Sequence, residues 1–187
     1  MKHFRPSRPL SLVAFAFALA ALAPDSHARP PARRPTAPAA HAPERFMITV
    51  GSFHARDTNR GPAVTELSRQ TVLEHLATRD GITVVEESVP ATRFNAMLRQ
   101  SHARGFHLDG SVRVQQTAPD AVRIECSLLV MNAPGREFRF ESSTALSASG
   151  LAAGAPPDVR NPQEDALIRR AVETATSRAL AQLPTVR

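Results

Sequence analysis

The stretch that decides the fold runs from Phe106 to Met131 and reads FHLDGSVRVQQTAPDAVRIECSLLVM. Two segments within it place apolar residues at every second position, which is the pattern of a strand that buries one face and exposes the other. The polar break Gln116–Asp120 contains a proline and predicts that the two strands fold back on each other as an antiparallel hairpin. The alternating positions are Leu108, Gly110, Val112 and Val114 in the first strand, and Val122, Ile124, Cys126, Leu128 and Val130 in the second.

The residues before the hairpin predict the order strand, helix, strand, helix. β-Branched and aromatic residues favour the strands, and Pro62 suits the first turn of the first helix. A strand–helix–strand unit predicts a parallel pair of strands. The predicted elements are a strand Phe46–Phe53, a helix from Pro62 to the stop at Asp80-Gly81, a strand Ile82–Ser88, and a helix Ala91–Arg104 ended by Gly105.

The residues after the hairpin predict a third strand of a meander and a long final helix. Asn161 is the expected cap of that helix, with Pro162 in the first helical position and Glu164 three residues after the cap. Ile168, Val172, Ala175, Ala179 and Leu183 then recur along one face until Pro184. The other predicted elements are the turn Asn132–Gly135, the strand Phe138–Leu146 and a mobile connection Ser147–Asp158.

Together these elements predict one α/β domain over residues 45–187, in the order β-α-β-α-β-β-β-α. We expect a mixed sheet of about five strands with helices packed mainly on one face. Gly110 has no Cβ and would let a neighbouring element approach the sheet closely. The single cysteine, Cys126, is in phase with Ile124 and is expected to be a small buried hydrophobe, with a reactive thiol as the alternative.

The first residues have the layout of a secretory signal peptide. Basic residues precede an apolar run, Leu10–Ala23, that is too short to span a bilayer comfortably. We expect cleavage after Ala28, giving a signal peptide over 1–28, with retention as a membrane anchor as the alternative. Residues 29–44 are rich in Pro and Ala and predict a disordered, extended tether.

The formal net charge of +6 is concentrated at the amino terminus. Residues 1–44 hold six basic and two acidic side chains, whereas residues 45–187 hold seventeen arginines and fifteen acids, a net of +2. The chain has neither Tyr nor Trp that could stack on bases. This distribution argues against a nucleic-acid partner.

A sequence element inside the hairpin has a family likeness. The run His107-Leu108-Asp109-Gly110-Ser111-Val112-Arg113, followed after a polar turn by Val122–Val130 and the glycine turn at 132–135, resembles the TolB amino-terminal-like family of bacterial envelope domains. The resemblance implies an anticodon-binding-like α/β sandwich, shared with activators of peptidoglycan synthases and the curli secretion channel subunit. Val50-Gly51-Ser52-Phe53 stands where the family has an apolar run leading to Pro-Phe. The cysteine that lipidates some relatives is missing, which implies a periplasmic protein that is not a lipoprotein.

No catalytic signature stands out in the sequence. His102, His107 and Asp109 lie within eight residues of one another, but Gly105 interrupts them and their spacing is not that of a helical metal site. Ser111 follows a glycine outside any nucleophile elbow. We therefore predict no catalytic residue, metal or cofactor, and keep a small periplasmic metal-assisted hydrolase built on the three residues as the alternative.

Arginines on the outward phase of the predicted sheet are the candidate partner-binding residues. Arg113 and Arg123 fall between the apolar positions of the hairpin, and the candidate strip is Arg104, Arg113, Arg123, Arg136 and Arg139. The sequence thus favours a non-enzymatic module that docks onto an envelope protein of unknown identity. The second alternative is an envelope subunit that assembles with copies of itself through a free sheet edge.

Overall fold

The structure is a computed structural model that describes residues 44–151 and 156–185. Five strands and three α-helices follow one another in the predicted order, and a short 3₁₀ turn follows the last helix. The elements are β1 (Phe46–Arg56), α1 (Gly61–Ala77), β2 (Ile82–Val85), α2 (Ala91–Ser101), β3 (Arg104–Ala118), β4 (Ala121–Asn132), β5 (Phe138–Ala148), α3 (Pro157–Gln182) and the 3₁₀ turn Leu183–Thr185.

The five strands form one mixed sheet in the order β2-β1-β3-β4-β5. Strand β1 pairs in parallel with β2 and β3, and the β3–β4 and β4–β5 pairs are antiparallel. The predicted α/β fold, the parallel first pair and the central hairpin are therefore confirmed. The hairpin arms are longer than predicted, because Gln116 and Ala118 still belong to β3 and only Pro119 and Asp120 separate the strands.

Helices α1 and α3 cover one face of the sheet, which we call the covered face. Ile124 of β4 and Val172 of α3 have no exposed surface and belong to the same core cluster, together with Leu76 of α1. Burying a side chain of this size contributes about 1.5–3 kcal/mol. The apolar side chains at the alternating positions of β3 and β4 belong to this core.

Helix α2 packs on the opposite face, at the end where β1 begins. Phe94 of α2 lies against Met47 of β1 and Val85 of β2 in a second, smaller apolar cluster. Met47 stands between Phe46 and Ile48, which contact the main core, so strand alternation places it on the other side of the sheet. Over the rest of this face, none of the described helices lies on β4 or β5; we call it the open face.

Gly110 allows the close approach that the sequence predicted. The ring of Phe53 on β1 occupies the space where a Cβ of residue 110 would lie, with Phe53 Cδ1 only 2.7 Å from that position. The contact follows from the parallel register, which places Phe53 beside Gly110. A larger residue at position 110 would push this ring out of the core.

The predicted start of the last helix was wrong. Helix α3 begins at Pro157, so Asn161 is inside the helix and does not cap it. Pro157 fits the first helical turn because its missing N–H has no partner there in any case. Pro162 stays inside the helix near its start, where it removes a single backbone hydrogen bond. Glu164 is nearly buried and pairs with Arg160 at 3.0 Å, so it does not complete a capping box.

Two other predicted boundaries were also wrong. Helix α2 ends at Ser101, and His102 takes the left-handed conformation at its carboxyl end, with φ at 51°. Gly105 is consequently a strand residue, and its missing Cβ makes room for the Phe94 ring. Strand β2 stops at Val85, before the charged residues that the prediction included.

Most of the predicted amino-terminal segments and part of one predicted connection lie outside the residues that the structure describes. The predicted signal peptide and the tether, apart from Glu44, fall outside the described residues, as do residues 152–155 of the predicted mobile connection. That connection is shorter than predicted, because β5 continues to Ala148 and α3 starts at Pro157. Among the described helices, none combines the length and apolar character needed to cross a bilayer.

Candidate functional site

A β-bulge in β1 creates an unusual polar arrangement on the open face. The register of the β1–β3 pair shifts between Val50 and Phe53, leaving Gly51 and Ser52 outside the regular ladder. The backbone N–H of Ser52 donates to the Asp109 carboxylate on β3 at 2.8 Å, and its hydroxyl lies 3.3 Å from the same oxygen. The bulge therefore fixes the position of a carboxylate.

Asp109 in turn orients the buried His107. The Asp109 Oδ1 and His107 Nε2 atoms are 3.1 Å apart, and His107 Nδ1 lies 2.8 Å from the hydroxyl of Thr49. The Thr49 hydroxyl also lies 3.4 Å from the main-chain oxygen of Phe106, so its single hydrogen is shared between that carbonyl and His107 Nδ1. The imidazole is only 3% exposed, so both of its nitrogen atoms are satisfied inside the protein.

Gly51 is the residue that makes this arrangement fit. A Cβ at position 51 would lie 2.6 Å from both Cε1 and Nε2 of His107, and would also collide with the Asp109 carboxylate. The imidazole therefore rests directly on the β1 backbone. We call Thr49, Ser52, His107 and Asp109, linked over Gly51, the polar chain.

The order carboxylate, imidazole, hydroxyl is that of an acyl-transfer relay. The geometry differs in one respect, since here Nε2 faces the carboxylate and Nδ1 faces the hydroxyl. The sequence singled out His107 and Asp109, and the structure joins them. The same prediction grouped them with His102, whose side chain takes part in none of the described hydrogen bonds to His107 or Asp109.

A small cavity lies beside the polar chain, between α2 and the β4–β5 turn. Its volume is about 140 Å³, and Thr49 and His107 are among the residues that line it. Glu87 and Arg136 also line it, and their charged groups are 2.6 Å apart. A larger cleft of about 460 Å³ lies near the amino termini of α1 and α3, where Arg60 and Arg160 are both paired with acidic side chains.

The candidate arginines do not form one strip. Arg113 and Arg123 lie together on the open face, and both pair with Glu125, at 3.9 and 2.9 Å. Arg113 also contacts Asp57 at 2.9 Å. The two guanidinium side chains are 43% and 47% exposed, so they remain accessible despite these pairs.

The remaining arginines lie at the opposite end of the sheet. Arg136 is in the β4–β5 turn and pairs with Glu87, and Arg139 lies 3.9 Å from Glu137 at the start of β5. Arg104 stacks over the Phe106 ring at 5.4 Å and donates to the Leu183 carbonyl. The role of Arg113, Arg123, Arg136 and Arg139 in partner binding stays a prediction.

Two titratable groups, the Cys126 thiol and the His75 imidazole, have shifted pKa values. Burial raises the pKa of the Cys126 thiol to about 12, as expected for a core residue with no exposed surface. Burial and then the charge of Arg79 lower the pKa of His75, whose Nε2 lies 3.0 Å from Arg79 and 2.9 Å from the Ser177 hydroxyl. Within the described parts of the chain, no group of three or more His, Cys, Asp and Glu side chains is arranged to hold a metal ion.

Sequence reasoning missed Thr49, Ser52 and the Glu87–Arg136 pair. Thr49 and His107 are separated by 58 positions in the sequence and meet only through the parallel register. The one local signal was Val50-Gly51-Ser52-Phe53, a glycine inside a strand pattern, which is a common mark of a bulge.

Comparison with known proteins identifies no family. No family model and no curated protein matches the chain. The TolB amino-terminal-like resemblance therefore stays a prediction.

Solved structures match the chain at low similarity. A hypothetical protein of Chlamydia trachomatis is 11% identical, covers 72% of this chain and 95% of its own, and has a TM-score of 0.47. A minor lipoprotein of Acinetobacter baumannii is 11% identical, with 73% and 91% covered and a TM-score of 0.42. PelC of Paraburkholderia phytofirmans, solved as a dodecamer, is 8% identical, with 72% and 86% covered and a TM-score of 0.43. Likenesses of this degree do not identify a function.

Proposed function

We propose that this chain is a non-enzymatic binding module of the bacterial cell envelope that docks a protein partner on the open face of its sheet. Residues 1–28 would act as a cleaved signal peptide for export to the periplasm, and residues 29–44 as the tether that carries the domain. The observation that carries the proposal is the apolar surface on β4 and β5 that no described helix covers.

We call Leu129, Met131 and Phe138 the apolar patch; Met131 pairs with Phe138, and Leu129 lies two residues before Met131 on β4, between Asp109 and Glu141 of the neighbouring strands. Leu129 is 40% exposed and Phe138 is 62% exposed, and Met131 lies beside Phe138 in the β4–β5 register. Large apolar side chains exposed together cost solvation free energy and are typical of interaction sites. Aromatic residues and Met are enriched in protein interfaces.

Charged and polar groups border the apolar patch. Along β3 and β4, Ser127 lies between Leu129 and the group formed by Arg113, Arg123 and Glu125. An apolar centre with a polar rim is the usual anatomy of a protein interface. Partner acids could replace Glu125 at one of the two arginines, since exposed ion pairs contribute only about 0–1 kcal/mol.

The test is recovery of the partner after crosslinking in cells that express the full chain. Leu129→Asp should abolish recovery of a crosslinked partner, because it replaces an exposed apolar side chain of the apolar patch by a charge. Val159→Asp is the matched control, since Val159 is 45% exposed at the start of α3. Circular dichroism would verify that both variants fold. Equal recovery with both variants would refute docking on the open face.

Self-assembly is the alternative function, and a second experiment distinguishes it from docking of a different protein. Strand β5 is an edge of the sheet that the described residues form, but Arg178 of α3 donates to the Ser143 main-chain oxygen and to the Thr144 hydroxyl, both at 3.0 Å. An occupied backbone group weakens an edge as a template for strand addition. Light scattering of the purified domain should give the monomer mass, and a ring or fibre would favour self-assembly.

A further inference from the structure

We propose that the cavity between α2 and the β4–β5 turn binds a small zwitterionic amino acid. Its volume of about 140 Å³ is close to that of an engineered cavity of about 150 Å³ that takes up benzene. A ligand of this site is therefore a molecule of a few heavy atoms. Three parts of the cavity then select among such molecules: a floor of Thr49 and His107, apolar walls, and a mouth with Glu87 and Arg136.

The floor of the cavity is polar and rigid. Thr49 and His107 line it, and they are 8% and 3% exposed. Whether the Thr49 hydroxyl donates to His107 Nδ1 or to the Phe106 carbonyl, its oxygen keeps a lone pair that can accept a hydrogen bond from a ligand. Ser52 holds Asp109, Asp109 holds His107, and His107 contacts Thr49, so the floor is organised before any ligand arrives.

The walls are apolar. They include Val89, Phe94 of α2 and Pro134 of the β4–β5 turn. Phe94 is 2% exposed and fixed in the smaller apolar cluster. The walls suit a short aliphatic stem with a polar tip that reaches the floor.

The mouth carries one charge of each sign. Glu87 and Arg136 both line the cavity, and their carboxylate and guanidinium groups are 2.6 Å apart. Both side chains are about half exposed, at 45% and 56%, so their ion pair contributes little stability and can open. Once opened, it offers a carboxylate to a ligand ammonium group and a guanidinium to a ligand carboxylate.

These three features point to one ligand class. A simple anion or cation would satisfy one of the two mouth charges and leave the other without its partner. A zwitterion replaces the single internal ion pair by two, and guanidinium–carboxylate pairing is geometrically specific. An amino acid with a short hydroxylated side chain, such as serine, also places a donor at the Thr49 oxygen.

The backbone at Arg136 supports a dedicated position for its side chain. Arg136 has φ at 54°, a left-handed conformation that non-glycine residues rarely adopt, although Gly135 precedes it. Its N–H donates to the Asn132 carbonyl at 2.7 Å, which holds this conformation. Strained residues of this kind cluster at functional sites.

Titration of the purified domain with serine, alanine and glycine, followed by NMR chemical shifts and calorimetry, tests the proposal. We expect saturable binding of serine, weaker binding of alanine, and none of acetate, methylamine or glycerol. Glu87→Gln and Arg136→Gln should each weaken serine binding at least about tenfold. Glu74→Gln is the matched control, because Glu74 pairs with Arg169 on an exposed surface at 3.5 Å.

A separate substitution tests the role of the cavity floor. Thr49→Val keeps the side-chain volume and should remove the preference for serine over alanine while leaving alanine binding in place. Absence of saturable shifts with all three amino acids would overturn the proposal. Binding that Glu87→Gln and Arg136→Gln leave unchanged, or binding of acetate as strong as that of serine, would overturn it as well. None of these results depends on docking at the apolar patch.

Discussion

Leu128 and Leu129 are neighbours on the same strand, yet they belong to opposite sides of the molecule. Leu128 points to the covered face and has no exposed surface, whereas Leu129 points to the open face and is 40% exposed. The residue type and strand are the same, so the difference between them comes from what packs against each face. Helix α3 lies over the first side chain, and none of the described helices lies over the second.

This contrast separates stability from recognition. The covered face joins α1, α3 and the three central strands β1, β3 and β4 in one apolar core that supplies most of the folding free energy. The open face holds the polar chain, the paired arginines and the apolar patch, which contribute little to that core. Substitutions on the two faces should therefore have different consequences, and four measurements probe that difference.

The largest contrast is expected for thiol reactivity. Cys126 on the covered face is fully buried with its pKa raised to about 12, so labelling requires unfolding. With unfolding free energies of at least about 5 kcal/mol, the native thiol should react at least about a thousandfold more slowly than the unfolded one. Leu129→Cys in a Cys126→Ala background is the control and should label rapidly in the native protein. Rapid native labelling of Cys126 would contradict the covered-face assignment.

Truncating the two leucines should give the next largest contrast. Leu128→Ala creates a cavity in the core and should lower the free energy of unfolding by about 2–5 kcal/mol. Leu129→Ala removes exposed surface and should change it by no more than about 0.5 kcal/mol. Urea denaturation of both variants measures the difference. Similar losses for the two would mean that something covers the open face.

The polar chain should tolerate no side chain at residue 51. Gly51→Ala drives a Cβ against His107 and Asp109 and should cost about 1–3 kcal/mol of unfolding free energy. Gly61→Ala is the control, because a Cβ there meets no atom within 4 Å, and it should be close to neutral. Thermal denaturation of the two variants would distinguish them. A stable Gly51→Ala protein with an unchanged His107 NMR signal would show that the imidazole does not lie over β1.

The smallest effect is expected for the pH dependence of stability, through His75 at the contact between α1 and α3. The pKa of His75 is lowered from 6.5 in the folded protein, so the unfolded chain takes up the proton first as the pH falls. Stability should therefore be constant above about pH 6.5 and decrease below it, until the folded histidine also titrates. Urea midpoints between pH 8 and pH 5, about the range of histidine titration, measure this slope. His75→Asn should reduce the slope, and an unchanged slope would exclude His75 as its source.

The sequence predicted the covered face far better than the open one. Alternation in β3 and β4 identifies Ile124 and Leu128 as core residues because strand geometry repeats every two residues. The polar chain depends on the register between β1 and β3 and on a bulge, and local patterning carries no information about the register of parallel strands. The α3 boundary was wrong because Pro157 and Pro162 both suit a helix start, and Asn161 with Glu164 mimics a capping box. His107 and Asp109 were found by their chemistry, but their true partner, Thr49, was not.

Site-specific photocrosslinking in living cells tests the central claim most directly. A photoreactive residue placed at Leu129 on the open face should give a discrete crosslinked product with one envelope protein. The same residue at Val159 on α3, which is exposed to a similar extent, should give none. A product at Val159 but not at Leu129, or no product at either position, would contradict docking through the open face.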